Sequence, residues 1–206
     1  MDIDIRALKA CAFAMSNDAR TRSYLAGVCL EISDAGVLAI ATDGHRLIAM
    51  AATEWAGVMN GYEAPGAREI IVPADTVKRI KLNKRIDHGT LTQCGDEWRI
   101  DYCGDAFVFK PIEGSFPTWR RVLPKHSGIG AWAHFDPAYV ADFGKVGAVY
   151  GAKCGIIPNG DDPAWVGFGE DVPGFGVLMP MRHGIDKVFR PVWTAWNPPV
   201  ETAEAA

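Results

Sequence analysis

One arrangement recurs along this chain: a strand, a helix and three further strands. Hydrophobic periodicity and turn residues predict complete copies at residues 69–112 and 131–181. A third copy covers residues 1–50, with its leading strand shortened or absent. Repeats of about 45 to 50 residues indicate an architecture of equivalent units packed side by side. The sequence therefore predicts an α+β fold made of βαβββ units, three in this chain.

The spacing of apolar residues predicts one helix in each unit. The first covers residues 5–15, and the second covers residues 74–85 and is entered through Pro73. Asp136 and Pro137, an N-cap and first-turn pair, open the third. The apolar face of this third helix is formed by Val140, Phe143, Gly147 and Tyr150.

Short β-rich runs bounded by turn residues predict the strands. Residues 25–32 and 37–50 form a hairpin across the turn at residues 33–36. An antiparallel meander follows between residues 89 and 112, and residues 53–66 have the composition of a loop. The other predicted strands are 69–72, 89–93, 97–102, 106–112, 131–135, 154–157, 164–168 and 176–181.

Composition narrows the classes of protein to which the chain can belong. Hydrophobic residues make up 49% and charged residues 22%, as in soluble globular proteins. No apolar run approaches the roughly 18 residues that a membrane span needs. The net charge of −4 shows no overall basic excess, so any contact with nucleic acid must depend on local charge.

The cysteines indicate a reducing compartment. They are five in number and form no CxxC pair, which argues against a disulfide framework and against a zinc site. The amino end has no signal-like segment, so we expect a cytoplasmic protein with no metal or cofactor. The residues expected to be buried, reduced thiols are Cys11, Cys29, Cys94, Cys103 and Cys154.

Asp43 and His45 are the only candidates for acid–base catalysis. Residues i and i+2 face the same way on a strand, so the two side chains could form a pair. No nucleophile lies near them in the sequence, and no second carboxylate is indicated. We therefore predict that the protein is not an enzyme; Gly44 between them indicates a turn instead.

Three stretches of the sequence resemble motifs of the bacterial DNA polymerase III β subunit, the sliding-clamp family. ATDGHRL at residues 41–47 matches the family's ATDGHRL, and EGSFPTWRRVLP at 113–124 resembles its DG-x-FPDYRRVLP. VLMPMR at residues 177–182 resembles the carboxyl-terminal VMPMR. The matches occur in the family's order, and their combination is far more specific than any one of them.

The resemblance implies a DNA-clamp fold with one complete clamp domain and a half domain. Residues 1–124 resemble the middle domain of the family, and residues 125–182 resemble the second half of its last domain. Residues 183–206 form a tail containing tryptophan and proline, and we expect its end to be disordered. Family rings contain about a dozen units, so roughly four such chains would be needed to close one by edge-strand pairing.

The resemblance also implies a peptide-binding groove. Leucine, valine, proline and methionine side chains suit short hydrophobic motifs, and methionine adapts to varied ligands. The alternative is that these side chains only fill a seam between units. The implied groove residues are Leu25, Thr42, Gly44, His45, Arg46, Leu47, Pro117, Arg121, Val122, Tyr139, Val177, Met179, Pro180 and Met181.

In the family, the helices face duplex DNA and contact its phosphates. On the predicted second helix, Lys78, Lys81 and Arg85 fall at i, i+3 and i+7 and form one basic stripe. A stripe of this kind suits non-specific, salt-dependent binding of duplex DNA, and the alternative is a solvated cationic face. The other implied DNA contacts are Arg6, Lys9, Arg20, Arg22 and Tyr24.

These resemblances imply a processivity factor of DNA replication or repair. Its expected partners are duplex DNA, a DNA polymerase, other proteins with clamp-binding motifs, and further copies of the same chain. A clamp loader is an additional candidate partner, and no membrane is expected to take part. The alternative function is that of an adaptor or decoy, which binds clamp-interacting proteins without encircling DNA.

Overall fold

A computed structural model describes residues 1–53, 66–125 and 133–181. Within these residues the chain forms three α-helices and eleven β-strands. The helices are α1 (Ile5–Cys11), α2 (Ala74–Arg79) and α3 (Pro137–Val149). The strands are β1 (Asp2–Asp4), β2 (Gly27–Ser33), β3 (Gly36–Thr42), β4 (Arg46–Ala51), β5 (Arg68–Pro73), β6 (His88–Cys94), β7 (Glu97–Tyr102), β8 (Asp105–Phe109), β9 (Gly155–Asn159), β10 (Asp162–Gly167) and β11 (Gly174–Leu178).

Two antiparallel sheets carry the fold. The first has strand order β1-β6-β7-β8 and the second has the order β5-β2-β3-β4-β11-β10-β9. Each of the first two units gives its leading strand to the other unit, because β1 pairs with β6 and β5 pairs with β2. This exchange makes the two units equivalent halves of one domain. The predicted α+β class, the repeated unit in its first two copies and the shortened first strand are confirmed.

The third unit extends the sheet of the first. Strand β11 pairs with β4 over five residues, from the Gly174–Met50 pair to the Leu178–Arg46 pair. We call this pairing the β4–β11 junction. Because side chains alternate along a strand, the junction presents two different apolar faces. One face contributes to the main core, in which both sheets and all three helices meet, and the other carries a smaller cluster.

The second helix ends six residues earlier than the sequence predicts. It stops at Arg79, and the next residue, Ile80, is extended and fully buried. The Asn83 side chain accepts the backbone N–H of Arg85, and the Tyr102 hydroxyl accepts the N–H of Asn83. These side-chain bonds occupy donors that a helix would need, so the predicted helical stripe is wrong.

The leading strand predicted at residues 131–135 is also wrong over its described part. Residues 133–136 form no strand, although the carbonyl of His134 accepts the N–H of Met181. The pairing of β1 and β5 explains the difference. A leading strand pairs with the meander of a partner unit, and the described part of the chain offers the third unit no such partner.

The other differences in secondary structure are smaller. The first helix ends at Cys11 and passes into a 3-10 turn at Ala12–Ala14. The run at residues 37–50 divides into β3 and β4, and the strand predicted at 106–112 ends at Phe109. Most of the predicted loop at residues 53–66 and the whole predicted tail at 183–206 lie outside the described residues.

Burial of the cysteines is only partly as predicted. Cys11 and Cys29 are buried, and burial raises the pKa of both thiols. Cys94 and Cys103 are exposed, which corrects the prediction, because Cys94 lies at the end of β6 beside the β6–β7 turn and Cys103 lies in the β7–β8 turn. Cys154 is half-buried, and all five thiols are free. In the described ranges, no helix is long and apolar enough to cross a membrane.

Candidate functional site

The smaller apolar cluster covers the outer face of the β4–β11 junction, opposite the helices. Leu47 and Val177 are partners across the junction, and their side chains are only 2% and 1% exposed. Leu25 belongs to the same cluster, and Val122 packs against it from a 3-10 turn at Trp119–Val122. We call this group the outer cluster. The structure thus brings together residues from three distant parts of the chain.

A rigid turn lies at one end of the outer cluster. The Thr42 hydroxyl donates to the Arg46 carbonyl at 2.7 Å and accepts the N–H of Gly44. The Asp43 carboxylate accepts the backbone N–H groups of His45 and Arg46. Gly44 has a φ of 95°, a value that side chains other than glycine rarely adopt. Asp43 therefore stabilises the turn, and the hydrogen bond that it accepts from His45 comes from the backbone N–H, not from the imidazole.

Arg46 connects this turn to the third unit through ionic and aromatic contacts. Its guanidinium forms ion pairs with Asp43 at 3.2 Å and with Asp142 of α3. It also lies 4.6 Å from the centre of the Tyr139 ring, on which the His45 ring stacks at 5.8 Å. Strand alternation directs Arg46 away from Leu47, so Arg46, His45 and Tyr139 form a polar and aromatic rim at the strand ends.

Two groups at this rim have shifted pKa values. Burial and the nearby Asp43 carboxylate raise the pKa of Tyr139. Burial also tends to raise the pKa of Asp142, but hydrogen bonds from Lys145 and Arg46 outweigh it, so that pKa is lowered. Asp142 is therefore a stable negative partner for both cations at neutral pH.

The residues after β11 continue along the same rim. The N–H of Met179 donates to the His45 carbonyl at 2.9 Å. Met179 and Pro180 are half-buried and Met181 is exposed, so methionine side chains are accessible beside the outer cluster. Pro117 is exposed on the segment that leads into the Trp119–Val122 turn, and Arg121 is exposed within that turn.

Residues 110–125, which we call the connector, are held by three residues that the sequence analysis missed. Glu31 on β2 is 4% exposed and accepts two hydrogen bonds from the Arg120 guanidinium, at 2.6 and 3.0 Å. The indole N–H of Trp119 donates to the same carboxylate at 3.3 Å. The available signal was a single glutamate inside an apolar strand, since such a charge is rarely buried without a partner.

The cations of the predicted DNA surface fall into two groups. Lys78, Lys81 and Arg85 are exposed, but only Lys78 lies in α2. Arg6 forms ion pairs with Asp4 at 2.8 Å and with Asp87 at 3.1 Å, and Lys9 donates to the Val77 carbonyl at 3.0 Å. The hydrogen bonds that the Arg6 guanidinium donates to Asp4 raise the pKa of Arg6, whereas burial lowers the pKa of Lys9. Both α1 cations are therefore committed to contacts within the chain.

The loop after α1 lies closer to the outer cluster than predicted. Tyr24 packs against that cluster, on the face opposite the helices. The Arg22 guanidinium lies 3.6 Å from the position that a Cβ on Gly44 would occupy. Arg20 is exposed, and its backbone N–H donates to Asp18. This placement separates Arg22 and Tyr24 from the cations of residues 78–85.

Comparison with known proteins identifies the family. The family model described as "DNA polymerase III beta subunit, central domain" matches residues 3–118. The β sliding clamp of Vibrio cholerae is 32% identical over 117 residues, which are 56% of this chain and 30% of that protein. The Escherichia coli K12 β sliding clamp is 33% identical over 125 residues, 59% of this chain and 31% of that protein. The chain thus spans less than a third of the length of these two relatives.

Solved structures show the same fold over a longer part of the chain. A sliding clamp from Pseudomonas aeruginosa matches with a TM-score of 0.70 at 19% sequence identity. The match covers 89% of this chain and 66% of the Pseudomonas chain. The clamp from Bacillus subtilis has a TM-score of 0.69 at 15% identity, with coverages of 89% and 64%. The predicted clamp fold, with a complete domain and part of another, is confirmed. The chain therefore belongs to the DNA polymerase III β subunit family, whose central-domain model it matches.

Proposed function

We propose that the protein is a non-catalytic, clamp-like processivity factor of DNA replication or repair. In this proposal the outer cluster and its rim bind hydrophobic peptide motifs of a DNA polymerase and other replication proteins. The helix side contacts duplex DNA without reading its sequence. The observation that carries the proposal is the β4–β11 junction, because it places Leu47 beside Val177 and the accessible Met179.

The chemistry of the outer cluster suits a peptide with aliphatic and aromatic side chains. Leu25, Leu47 and Val177 supply an apolar floor, and the half-buried Met179 can change its side-chain conformation to fit a ligand. His45 is exposed at the rim and offers a ring N–H to peptide carbonyl groups. Two of the solved sliding clamps, from Pseudomonas aeruginosa and Bartonella birtlesii, are bound to griselimycin, which provides a second probe.

Met179→Asp tests the groove with little risk to folding, because Met179 is half-buried. We expect the variant to bind a fluorescein-labelled hexapeptide with two leucines and one phenylalanine at least about tenfold more weakly, since an apolar anchor would meet a charge. Fluorescence anisotropy measures this affinity, and calorimetry with griselimycin provides an independent measurement. Below, this peptide is called the probe hexapeptide.

Ile157→Asp is the matched control for the groove test. Ile157 is 49% exposed on β9, two strands away from the junction in the same sheet. The control should bind the probe hexapeptide like the wild type. If the wild type, Met179→Asp and Ile157→Asp bind the probe hexapeptide with equal affinity, the placement of the groove is contradicted. If Met179→Asp loses the hexapeptide but still binds griselimycin, that compound binds at another site.

We locate the proposed DNA surface on α2 and the segment that follows it, rather than on one helical stripe. Residues 74–86 contain five cations and one carboxylate, although the whole chain is negative. Lys78, Lys81 and Arg85 are exposed there, whereas Arg6 and Lys9 are held by other groups. We therefore assign the main phosphate contacts to the three exposed cations, with Arg20 as a peripheral contact and no direct role for Tyr24.

Lys78→Gln combined with Lys81→Gln tests this assignment. Each phosphate contact contributes about 0.9 to the slope of log affinity against log salt, so the double variant should lower the slope by about two. Titrating a labelled duplex at several salt concentrations measures it. The control pair is Lys110→Gln with Lys153→Gln, two exposed lysines outside the segment. An unchanged slope would instead favour an adaptor that binds clamp partners without DNA.

The proposal includes assembly and a cellular location. Several copies are required to surround a duplex, because each chain carries three units. We place the complex in the cytoplasm with the replication machinery, and a clamp loader is its candidate loading partner. Light scattering at high micromolar concentration tests the assembly, since a strictly monomeric protein could not form a ring.

A further inference from the structure

The connector crosses the outer cluster but has little structure of its own. Its one regular element, Trp119–Val122, is a four-residue 3-10 turn, and no side chain caps its N-terminus at Thr118. Such a short turn is not stable alone, so its position depends on contacts to the sheet. We propose that Glu31, acting through Arg120 and Trp119, is the positioning residue that sets the connector wall of the peptide groove. This inference rests on the proposed function.

Glu31 is an unusual residue for its position. It follows Leu30 on β2 and faces the outer cluster beside Cys29 and Leu38, with Glu69 directly across on β5. Its carboxylate is 4% exposed and accepts a fork of two bonds from Arg120, at 2.6 and 3.0 Å. A two-bond guanidinium pair fixes distance and direction together, which a single lysine contact cannot do. The pair therefore defines where the connector meets the sheet.

Trp119 gives the connector a second fixed contact, to the third unit. Its indole N–H donates to Glu31 at 3.3 Å, and the Arg120 guanidinium lies 4.2 Å from the centre of its ring. Its ring lies 6.2 Å from that of Phe175 on β11, and Phe175 contacts Trp165 on β10 edge-on at 5.1 Å. The connector is thus tied to the first unit by charge and to the third by aromatic packing.

These contacts determine the position of the groove wall. Val122 lies two residues after Arg120 and packs against the outer cluster, as does Leu123. If the guanidinium loses the Glu31 carboxylate, the turn loses a two-bond ion pair to the sheet, and Val122 is held less firmly against the outer cluster. The apolar floor of Leu47 and Val177 stays in place, because the β4–β11 pairing does not involve Glu31. Peptide affinity should therefore fall while the floor remains folded.

Glu31→Gln tests the inference, because glutamine keeps the shape of the side chain and removes its charge. We expect backbone amides of residues 116–125 to exchange at least about tenfold faster with deuterium, while those of β4 and β11 keep their protection. The probe hexapeptide should bind roughly tenfold more weakly. Arg120→Lys keeps the positive charge but cannot form the two parallel hydrogen bonds. The increase in hydrogen exchange and the loss of peptide affinity should therefore both be smaller in Arg120→Lys than in Arg120→Gln.

Arg99→Gln is the matched control. It breaks the exposed Arg99–Asp101 pair on the other sheet and should change neither exchange in the connector nor peptide affinity. Unchanged exchange in residues 116–125 of Glu31→Gln, or unchanged peptide affinity despite faster exchange, would overturn the inference. If Glu31→Gln does not fold, the comparison of Arg120→Lys with Arg120→Gln decides between the same outcomes. Absence of peptide binding by the wild type would instead refute the proposed function, so the two failures are distinguishable.

Discussion

Leu47→Asp is expected to lower the free energy of unfolding by about 4 kcal/mol or more, and to abolish binding of the probe hexapeptide. Leu47 is 2% exposed and lies between Thr42 on β3 and Val177 on β11. The nearest cation in sequence, Arg46, points to the opposite face and is paired with Asp43 and Asp142. The new carboxylate would therefore be buried without a partner.

The pH dependence gives this prediction a second signature. Burial raises the pKa of an unpaired aspartate above its ordinary value of about 3.9. The folded variant then holds a proton that the unfolded chain releases, so it loses stability as the pH rises from about 4 through the raised pKa. Urea denaturation at pH 5 and pH 7.5 should show a larger difference from the wild type at the higher pH.

Leu82→Asp is the matched control for the buried leucine. Leu82 is 38% exposed, so its aspartate stays hydrated and should change stability by less than about 1 kcal/mol. A similarly small effect for Leu47→Asp would show that Leu47 is accessible to water. That result would contradict the tight packing at the β4–β11 junction on which the proposed groove depends.

Gly174→Val is expected to separate β11 from β4. A Cβ at position 174 would lie 2.5 Å from the backbone carbonyl oxygen of Ala49, and backbone cannot move aside as a flexible side chain can. Gly174 pairs with Met50 at the start of the junction, so the clash opens the pairing from that end. We expect a loss of stability of at least about 3 kcal/mol and at least tenfold weaker binding of the probe hexapeptide.

Gly167→Val provides the control for this substitution. Gly167 lies in β10, and a Cβ there meets nothing within 4 Å. Its unfolding free energy and peptide affinity should match those of the wild type. Hydrogen exchange then locates the effect: in Gly174→Val, β4 and β11 should lose protection while β6 and β7 keep theirs. Retained protection in β4 and β11 would mean that the junction tolerates the side chain.

Local signals in the sequence predicted most elements of the fold. Asp136 and Pro137 predicted the start of α3, and the structure shows the Asp136 side chain accepting the N–H of Ala138. Alternating apolar residues and turn composition predicted the β2–β3 hairpin and the β6–β8 meander. These features depend on residues close in sequence, so periodicity and capping rules were sufficient.

The errors concern contacts between distant residues. The end of α2 depends on Tyr102, whose hydroxyl holds Asn83 and Ile86 from the neighbouring sheet. The ion pairs that occupy Arg6 reach Asp87, far along the chain, and Lys9 contacts α2. Periodicity along one segment cannot show such partners, so it predicted a basic stripe where the structure has a shorter helix and committed side chains.

The proposed site was also predicted only in part: its short motifs were identified, and its contacts between distant residues were missed. Its three motifs were identified in the sequence by resemblance, and the structure places their residues around one junction. The residues that hold the connector were missed, because Glu31 and Arg120 are separated by 89 positions. No spacing rule links a glutamate in a strand to an arginine so distant. Only the tertiary fold shows that they form a pair.

The central claim is that the first unit, the third unit and the connector form one groove for hydrophobic peptides. A crystal structure of the protein with the probe hexapeptide tests it most directly. The account predicts that leucine and phenylalanine side chains of the peptide contact Leu47, Val122 and Met179 together. A peptide bound elsewhere, or one that touches the first unit without Val122 and Met179, would contradict the account.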